Sequence, residues 1–286
     1  MAPTQRHRWF TRADNRAKRR IAALRQFALE SARRAFEEEY PDLVLPPVVA
    51  VIPAYLEEAN LGPVLDAFPE SVCGLPVAPL VVVDGGGDNT DEVARKHGAF
   101  TCVLPVNLGQ GAAFRLAYDL AIGHGARYVV TLDADGQNDP VEMDRLVGPL
   151  VRDEADFVIA SRQLGTDHTT DRFRRAGVEL YARLLGAVTG RHLTDTSNGY
   201  RGFRAEVLAD LLPHLRQDQY QTAEVVITAA AAGWRIDECP TTWHPRASGE
   251  SKKGGNLFFG AQYARVIAVT WARTLRARRS PRGPRR

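Results

Sequence analysis

Tyr128-Val129-Val130-Thr131-Leu132-Asp133-Ala134-Asp135-Gly136-Gln137-Asn138-Asp139-Pro140 runs from an apolar strand straight into an acidic turn. Alternate side chains of an extended segment point the same way. Asp133 and Asp135 therefore share a side, with Gln137 near them, and the three are candidate ligands for one divalent cation. An EF-hand loop needs glycine at its sixth position and glutamate at its twelfth; the chain has Asn138 and Asp144 there, so that reading fails. A solvated Asp-rich turn is the plain alternative.

On both sides of this segment short β-branched runs alternate with helical periods. Strands are expected at Val48–Ile52, Leu80–Val83, Phe100–Leu104, Tyr128–Leu132 and Phe157–Ala160, and helices at Ala59–Phe68, Asp91–His97, Gly111–Gly123 and Val141–Val151. The alternation predicts an α/β fold with a mostly parallel sheet and helices on both faces. Ligands of such sheets lie beyond the carboxyl ends of the strands, where the Asp133 turn falls. After Ser161 the rhythm changes to longer helices at Arg174–Val188, Ala205–Leu212 and Glu224–Ala232, read as the second half of the same domain. The expected organisation is a basic extension over 1–46, helical around Ile21–Glu39, then a folded domain over 47–255, then an amphipathic helix and basic tail over 256–286.

The 286 residues are 44% hydrophobic and 25% charged, proportions that exclude disorder, collagen and coiled coil. Cys73, Cys102 and Cys239 lack C-x-x-C spacing, which argues against a disulfide framework or zinc site, and the seven histidines show no ligand spacing. The net charge of +3 conceals an asymmetry. Residues 1–20 and 271–286 hold 14 of the 37 Lys and Arg but one of the 34 Asp and Glu, so an acidic body carries basic tails. With no run of eighteen apolar residues and no secretory signal, the chain reads as cytoplasmic. The tails lack interleaved aromatics beyond Trp9 and Phe10, so nucleic acid is not expected as a partner. Their readings are an anionic membrane surface or solvated ends.

Two further strand ends lead into unusual loops, Pro53-Ala54-Tyr55-Leu56-Glu57 and Asp84-Gly85-Gly86-Gly87-Asp88-Asn89-Thr90. An acid at a strand end followed by glycines lets backbone approach a nucleotide while the carboxylate accepts from ribose or base N–H groups. A turn with Asp88 or Thr90 capping the next helix is the competing explanation.

Pro53-Ala54-Tyr55 with Glu57, Asp84 before glycines, Asn107-Leu108-Gly109-Gln110-Gly111-Ala112 and Asp133-Ala134-Asp135, in that order, resemble the family 2 glycosyltransferases of the Rossmann-like GT-A fold. The later motifs look most like those of polyprenyl-phosphate (dolichol-phosphate) mannosyl- and glucosyltransferases. These are Ala160-Ser161-Arg162, Asp195-Thr196-Ser197-Asn198-Gly199-Tyr200-Arg201, Glu224-Val225-Val226-Ile227, and Pro240 followed by Arg246-Ala247-Ser248-Gly249-Glu250-Ser251-Lys252. The resemblance covers residues 48–255. Leu56 stands where the family usually has Asn and Gln110 where Lys is common, and the Asp84 loop is short by one residue or one acid.

The resemblance implies an inverting, metal-dependent transfer of a hexose from a nucleoside diphosphate sugar to a polyprenyl phosphate. It implies Mg²⁺ or Mn²⁺ on Asp133, Asp135 and Gln137, and a nucleotide sugar held by Pro53, Ala54, Tyr55, Glu57, Asp84, Gly111, Asp133, Arg246 and Lys252. It makes Arg162, Arg174, Ser197 and Arg201 acceptor-binding and Asp135, Arg162 and Glu224 catalytic. Guanidinium groups suit such phosphates because they bind the oxygens bidentately.

Members that glycosylate a hydroxyl typically carry an acid pair where this chain has Glu224-Val225. A phosphate monoester, with its second pKa near about 6, is already an anionic nucleophile. The pattern leans toward a phosphate acceptor, with Glu224 or Asp195 as base if the acceptor is a hydroxyl. Two other readings stand beside this one: a soluble enzyme acting on a small hydroxyl or phosphate acceptor, and a catalytically silent nucleotide-sugar or nucleic-acid binding module. Intact Asp133, Asp135, Arg162 and Lys252 argue against silence. The apolar stripe Leu257, Phe258, Phe259, Tyr263, Val266, Ile267 and Trp271 fits either an interfacial segment at the inner membrane face or core packing.

Overall fold

A computed structural model describes residues 4–168, 172–246 and 256–279, with side chains over 16–168, 177–246 and 262–276. The strand β1 (Val48–Ala54) is buried at all seven positions. Val49 and Val51 pack into one core, and Val48, Ala50 and Ile52 into another on the opposite face. Burial on both faces is why this strand reads as a continuous apolar run. β2 (Ser71–Val72) pairs antiparallel with the start of β3 (Leu75–Asp84), which runs parallel to β1. β4 (Phe100–Leu104) and β5 (Tyr128–Thr131) complete a parallel group in the order β4-β3-β1-β5.

The sheet continues past β5 in mixed fashion. β6 (Phe157–Asp167) is separated from β5 by β7 (Arg201–Arg204), antiparallel to both, and β8 (Ile236–Trp243) closes the far edge parallel to β6. The expectation of a mostly parallel sheet holds, with one central strand reversed. β7 escapes sequence reading because Arg201-Gly202-Phe203-Arg204 has no β-branched residue and carries two charges. β8 contains Asp237, Glu238 and Pro240, and proline is tolerated there because the strand lies at an edge.

On one face lie α1 (Thr4–Glu39), α4 (Gln110–Gly123), α7 (Ala205–Leu211), α8 (Gln221–Ala232) and α9 (Asn256–Arg279), around Phe36, Phe114, Leu120, Leu208, Val226 and Tyr263. α2 (Glu58–Asp66), α3 (Thr90–Lys96) and α5 (Met143–Val151) cover the other face through Leu61, Ala94 and Leu146. α6 (Arg172–Thr189) leans on α8 and α9.

Two helices differ from expectation. α1 begins far ahead of Ile21, and its C-terminal half enters the core through Ala28, Ala32 and Phe36. In α9, Tyr263, Val266 and Ile267 are buried against the domain, so core packing accounts for this part of the C-terminal stripe; the side chains of Leu257, Phe258 and Phe259 lie outside the described residues. Among the described residues no helix is long and apolar enough to cross a membrane.

Candidate active site

Three adjacent parallel strands, β3, β1 and β5, end at a cavity of about 510 Å³. β1 contributes Pro53 and Ala54 and, just beyond its end, Tyr55 and Glu57; β3 contributes Asp84; the turn after β5 contributes Asp133, Ala134 and Asp135. The sequence-predicted ligands of the first half therefore share one wall, at the edge where α/β sheets bind ligands. Ser197, Gly199, the segment Gln219–Thr222 and Arg246 complete the lining, Gly199 against Asp133 and Arg246 against Asp135 and Glu57.

Each carboxylate on this wall is held by identifiable donors. Asp84 accepts from the backbone N–H groups of Leu108 (2.7 Å) and Gly109 (2.9 Å), fastening the loop before α4 to the end of β3. Burial pushes its carboxyl above the ordinary range, and those two donors pull against the shift. Asp133 accepts from Gln110 Nε2 at 3.1 Å, so the glutamine that stands in for the usual lysine orients the first acid of the turn. Asp135 accepts from the backbone N–H of Gln137 at 3.1 Å and from Arg246 Nη2 at 2.8 Å. Arg246 also reaches Glu57 Oε1 at 3.5 Å, bridging two loops of the cavity. Asn60 Nδ2 donates to Glu57 Oε2 at 2.7 Å.

Gln137 stands behind Asp135. With its amide turned to satisfy both neighbours, it donates to Asp135 Oδ2 (3.0 Å) and accepts from Trp243 Nε1 (3.2 Å). It orients a ligand and does not itself line the cavity. Among the described residues no group of three or more His, Cys, Asp or Glu side chains is gathered tightly enough to cage a metal. Two carboxylates are nonetheless the donor set that Mg²⁺ takes when waters and substrate phosphates fill its remaining positions. Asp133 and Asp135 fit a hard divalent cation on that ground.

The second half departs from the sequence reading. Arg162 is 6% exposed; Nε and Nη2 donate to the two oxygens of Asp195 at 2.6 and 2.9 Å, Nη2 donates to Ser197 Oγ at 2.8 Å, and the guanidinium lies 4.6 Å from the Trp243 ring centre. Burial works against its charge, but Asp195 more than offsets this and holds its pKa above the ordinary value. Arg201 donates to the carbonyls of Thr196, Asn198 and Thr222 at 2.7, 2.8 and 2.9 Å, and burial lowers its pKa. Neither arginine lines the cavity; both brace the loops that bring Ser197 and Thr222 to it.

Glu224 is fully buried. It accepts from the backbone N–H groups of Arg216 and Gln217, both at 2.9 Å, and from the Arg273 guanidinium of α9. It anchors α9 and the turn before α8, and is not at the cavity surface. Gly111 also lies off the wall: its N–H donates to Asp218 O at 2.8 Å, and a Cβ there would meet Gln217 O at 2.1 Å. The side chain of Arg174 and all of Lys252 lie outside the described residues.

Sequence reasoning missed the Gln219–Thr222 wall. Tyr220 sits there at φ 57°, a left-handed conformation rare for a bulky residue, and Gln221 carries a buried Oε1 with no hydrogen-bond partner among the described residues. No strand-end or glycine signal marks this segment. Its placement depends on Asp218, which pairs with Arg115 (2.8 Å) and Arg25 (2.7 Å) from α4 and α1.

The sequence profile of glycosyl transferase family 2 matches residues 49–212. A dolichyl-phosphate hexose transferase of Haloferax volcanii is 33% identical over 205 residues, which cover 72% of this chain and 86% of that protein. An undecaprenyl-phosphate mannosyltransferase of Micrococcus luteus is 31% identical over 226 residues, 73% of this chain and 88% of that protein. Among solved structures, glucosyl-3-phosphoglycerate synthase from Mycobacterium tuberculosis in complex with Mg²⁺ and UDP aligns with a TM-score of 0.61 at 18% identity, covering 85% of this chain and 82% of that one. The chain belongs to glycosyl transferase family 2. It is a glycosyltransferase of the GT-A fold.

Proposed function

We propose that the chain transfers a hexose, with inversion, from a nucleoside diphosphate sugar to a polyprenyl phosphate. The observation that carries the acceptor class is the burial of the two acids at the positions expected of a base: Glu224 and Asp195 are both fully buried and neither lines the cavity, while the carboxylates that do, Glu57, Asp84, Asp133 and Asp135, belong to the donor wall. A hydroxyl acceptor needs its proton removed in the transition state, whereas a phosphate is an anion at neutral pH. The two relatives at 31% and 33% identity, named for transfer to polyprenyl phosphates, support the same acceptor.

On this reading the β3-β1-β5 wall takes the donor. Asp84 keeps lone pairs beyond those used by Leu108 and Gly109 and accepts from the nucleoside, beside Pro53, Ala54 and Tyr55. Asp133 and Asp135 would hold Mg²⁺ or Mn²⁺, which would neutralise charge on the leaving diphosphate. Arg246 adds a second cation beside Asp135. The acceptor phosphate oxygen uses a lone pair to bond the anomeric carbon; the carbon–oxygen bond to the diphosphate breaks, and its electron pair leaves with the nucleoside diphosphate. A single displacement of this kind inverts the anomeric centre.

The test is a donor screen by calorimetry with Mn²⁺, followed by turnover of the winning donor with polyprenyl phosphate and, separately, with small phosphorylated and hydroxyl acceptors. Transfer to polyprenyl phosphate is expected. Turnover of small acceptors alone would move the reading to a soluble-acceptor enzyme, and donor binding without any turnover would make the domain a nucleotide-sugar binding module.

A further inference from the structure

α1 runs antiparallel to β4 along the flank of the sheet. Tyr40 at its C-terminal end accepts from the backbone N–H of Thr101, Cys102 Sγ donates to Ala32 O, and Arg25 Nη2 donates to Leu108 O, past the carboxyl end of β4. Residues ahead of Arg25 therefore project beyond the carboxyl edge of the sheet, the edge at which the cavity lies. At 1.5 Å per residue this arm extends roughly 30 Å.

The arm carries forward the face by which α1 packs. Ile21 and Leu24 precede Arg25 and Ala28 by four residues each, the spacing that keeps side chains on one side of a helix. Where Ala28 and Ala32 are buried, Ile21 is 58% and Leu24 68% exposed, and Phe27, which follows Arg25 and lies to the side of that face three residues on from Leu24, is 69% exposed. Exposed Arg20 and Arg16 precede Leu24 by four and eight residues and so continue its side of the helix, with exposed Arg19 beside them, and residues 1–20 contain one acid against seven cations. Exposed apolar side chains that give way to arginines along one side of a helix match an anionic lipid surface, which takes the apolar side chains at its acyl boundary while the guanidinium groups meet headgroup phosphates. A second copy of the chain is the poorer occupant, because two such arms repel one another. A nucleic acid has no use for exposed Ile21, Leu24 and Phe27.

We infer that the N-terminal arm of α1 docks the protein on an anionic membrane and so holds the cavity edge of the sheet toward the lipid. This rests on the polyprenyl phosphate reading for its purpose, though not for its physics. The arm is rooted at the site: Arg25 joins it to Asp218, next to the cavity residues Gln219 and Tyr220.

The experiment is flotation of the full chain with vesicles of phosphatidylcholine, with and without phosphatidylglycerol, at low and high salt. Binding is expected only with phosphatidylglycerol and is expected to be reversed by salt. The variant Arg16→Gln/Arg19→Gln/Arg20→Gln should weaken it on the order of a hundredfold, and Leu24→Ser/Phe27→Ser should weaken it without altering its salt dependence. Both variants should turn over a short detergent-soluble acceptor like the unmodified protein, and polyprenyl phosphate in anionic vesicles more slowly. Equal flotation of variants and unmodified protein overturns the inference. So does a concentration-dependent dimer, or retention of an oligonucleotide, that Leu24→Ser/Phe27→Ser abolishes while vesicles go unbound. If vesicles are bound but polyprenyl phosphate is not glycosylated, the acceptor reading fails and the docking stands; the reverse pattern removes the docking and keeps the acceptor.

Discussion

The two halves of the sheet handle charge in opposite ways. At the ends of β3 and β5, Asp84 and Asp133 are held by backbone or amide donors and line the cavity. Around β6, β7 and β8, Arg162, Arg201 and Glu224 are engaged with other parts of the chain and turned away from it. A charged residue within a family motif is thus a ligand candidate where it lines the cavity, as Asp135 does even while paired with Arg246, and a brace where its partners hold it away from the cavity.

The contrast breaks most visibly at Asp135. Asp135→Asn is expected to lower turnover by on the order of a hundredfold or more, with the circular dichroism spectrum unchanged, since a ligand for charge developing on the leaving group is lost. Near-normal rates and metal affinity in this variant would remove the donor half from the mechanism.

Glu224→Ala tests the other half. It strands the Arg273 guanidinium and two backbone donors, so urea unfolding should show a loss of about 3 kcal/mol, while the folded fraction keeps its rate with a phosphate acceptor. A collapse of rate without loss of stability would return Glu224 to the chemistry.

Asp156, at the start of β6, sharpens the comparison through pH. Hydrogen bonds from Arg235 hold its carboxyl below the usual range, against the opposing effect of burial. Its folded-state pKa is thus below the unfolded one. The stabilisation is complete above the unfolded value of about 4 and is lost as pH falls through the folded value. Asp156→Asn should melt earlier than the unmodified protein at pH 7, and the gap should close in acid; a gap independent of pH would exclude the ion pair as its source.

A further contrast between the halves lies in their thiols. Burial, reinforced by Asp144, pushes Cys73 in the donor half up to about 11, while burial takes Cys239 in the other half up to about 12. Alkylation of Cys73 at pH 8 should run on the order of a hundredfold slower than that of a free thiol and should accelerate toward pH 11. Asp144→Ala should shift that profile down by removing the hydrogen bond and the adjacent charge.

The first half of the fold is legible because β1, β5 and the latter part of β3 are buried on both faces and the site acids mark strand ends: Asp84 ends β3, and Asp133 comes two residues after β5. In the second half the deciding partners are distant in sequence. Arg273 lies 49 residues from Glu224 and Asp195 lies 33 from Arg162, and no local pattern announces either pairing. The Gln219–Thr222 wall is hidden for the same reason, since its position follows from the hold that Arg25 and Arg115 have on Asp218.

At Gly111 backbone meets backbone: the amide of one half bonds the Asp218 carbonyl of the other, and the missing side chain is what lets Gln217 approach so closely. The two halves are therefore poor modules for recombination. A chimera joining residues before α6 from one family member to the remainder of another inherits a collision wherever position 111 carries a side chain and the incoming 217–218 turn expects a glycine. Crossovers will succeed where both edges of that seam come from the same parent.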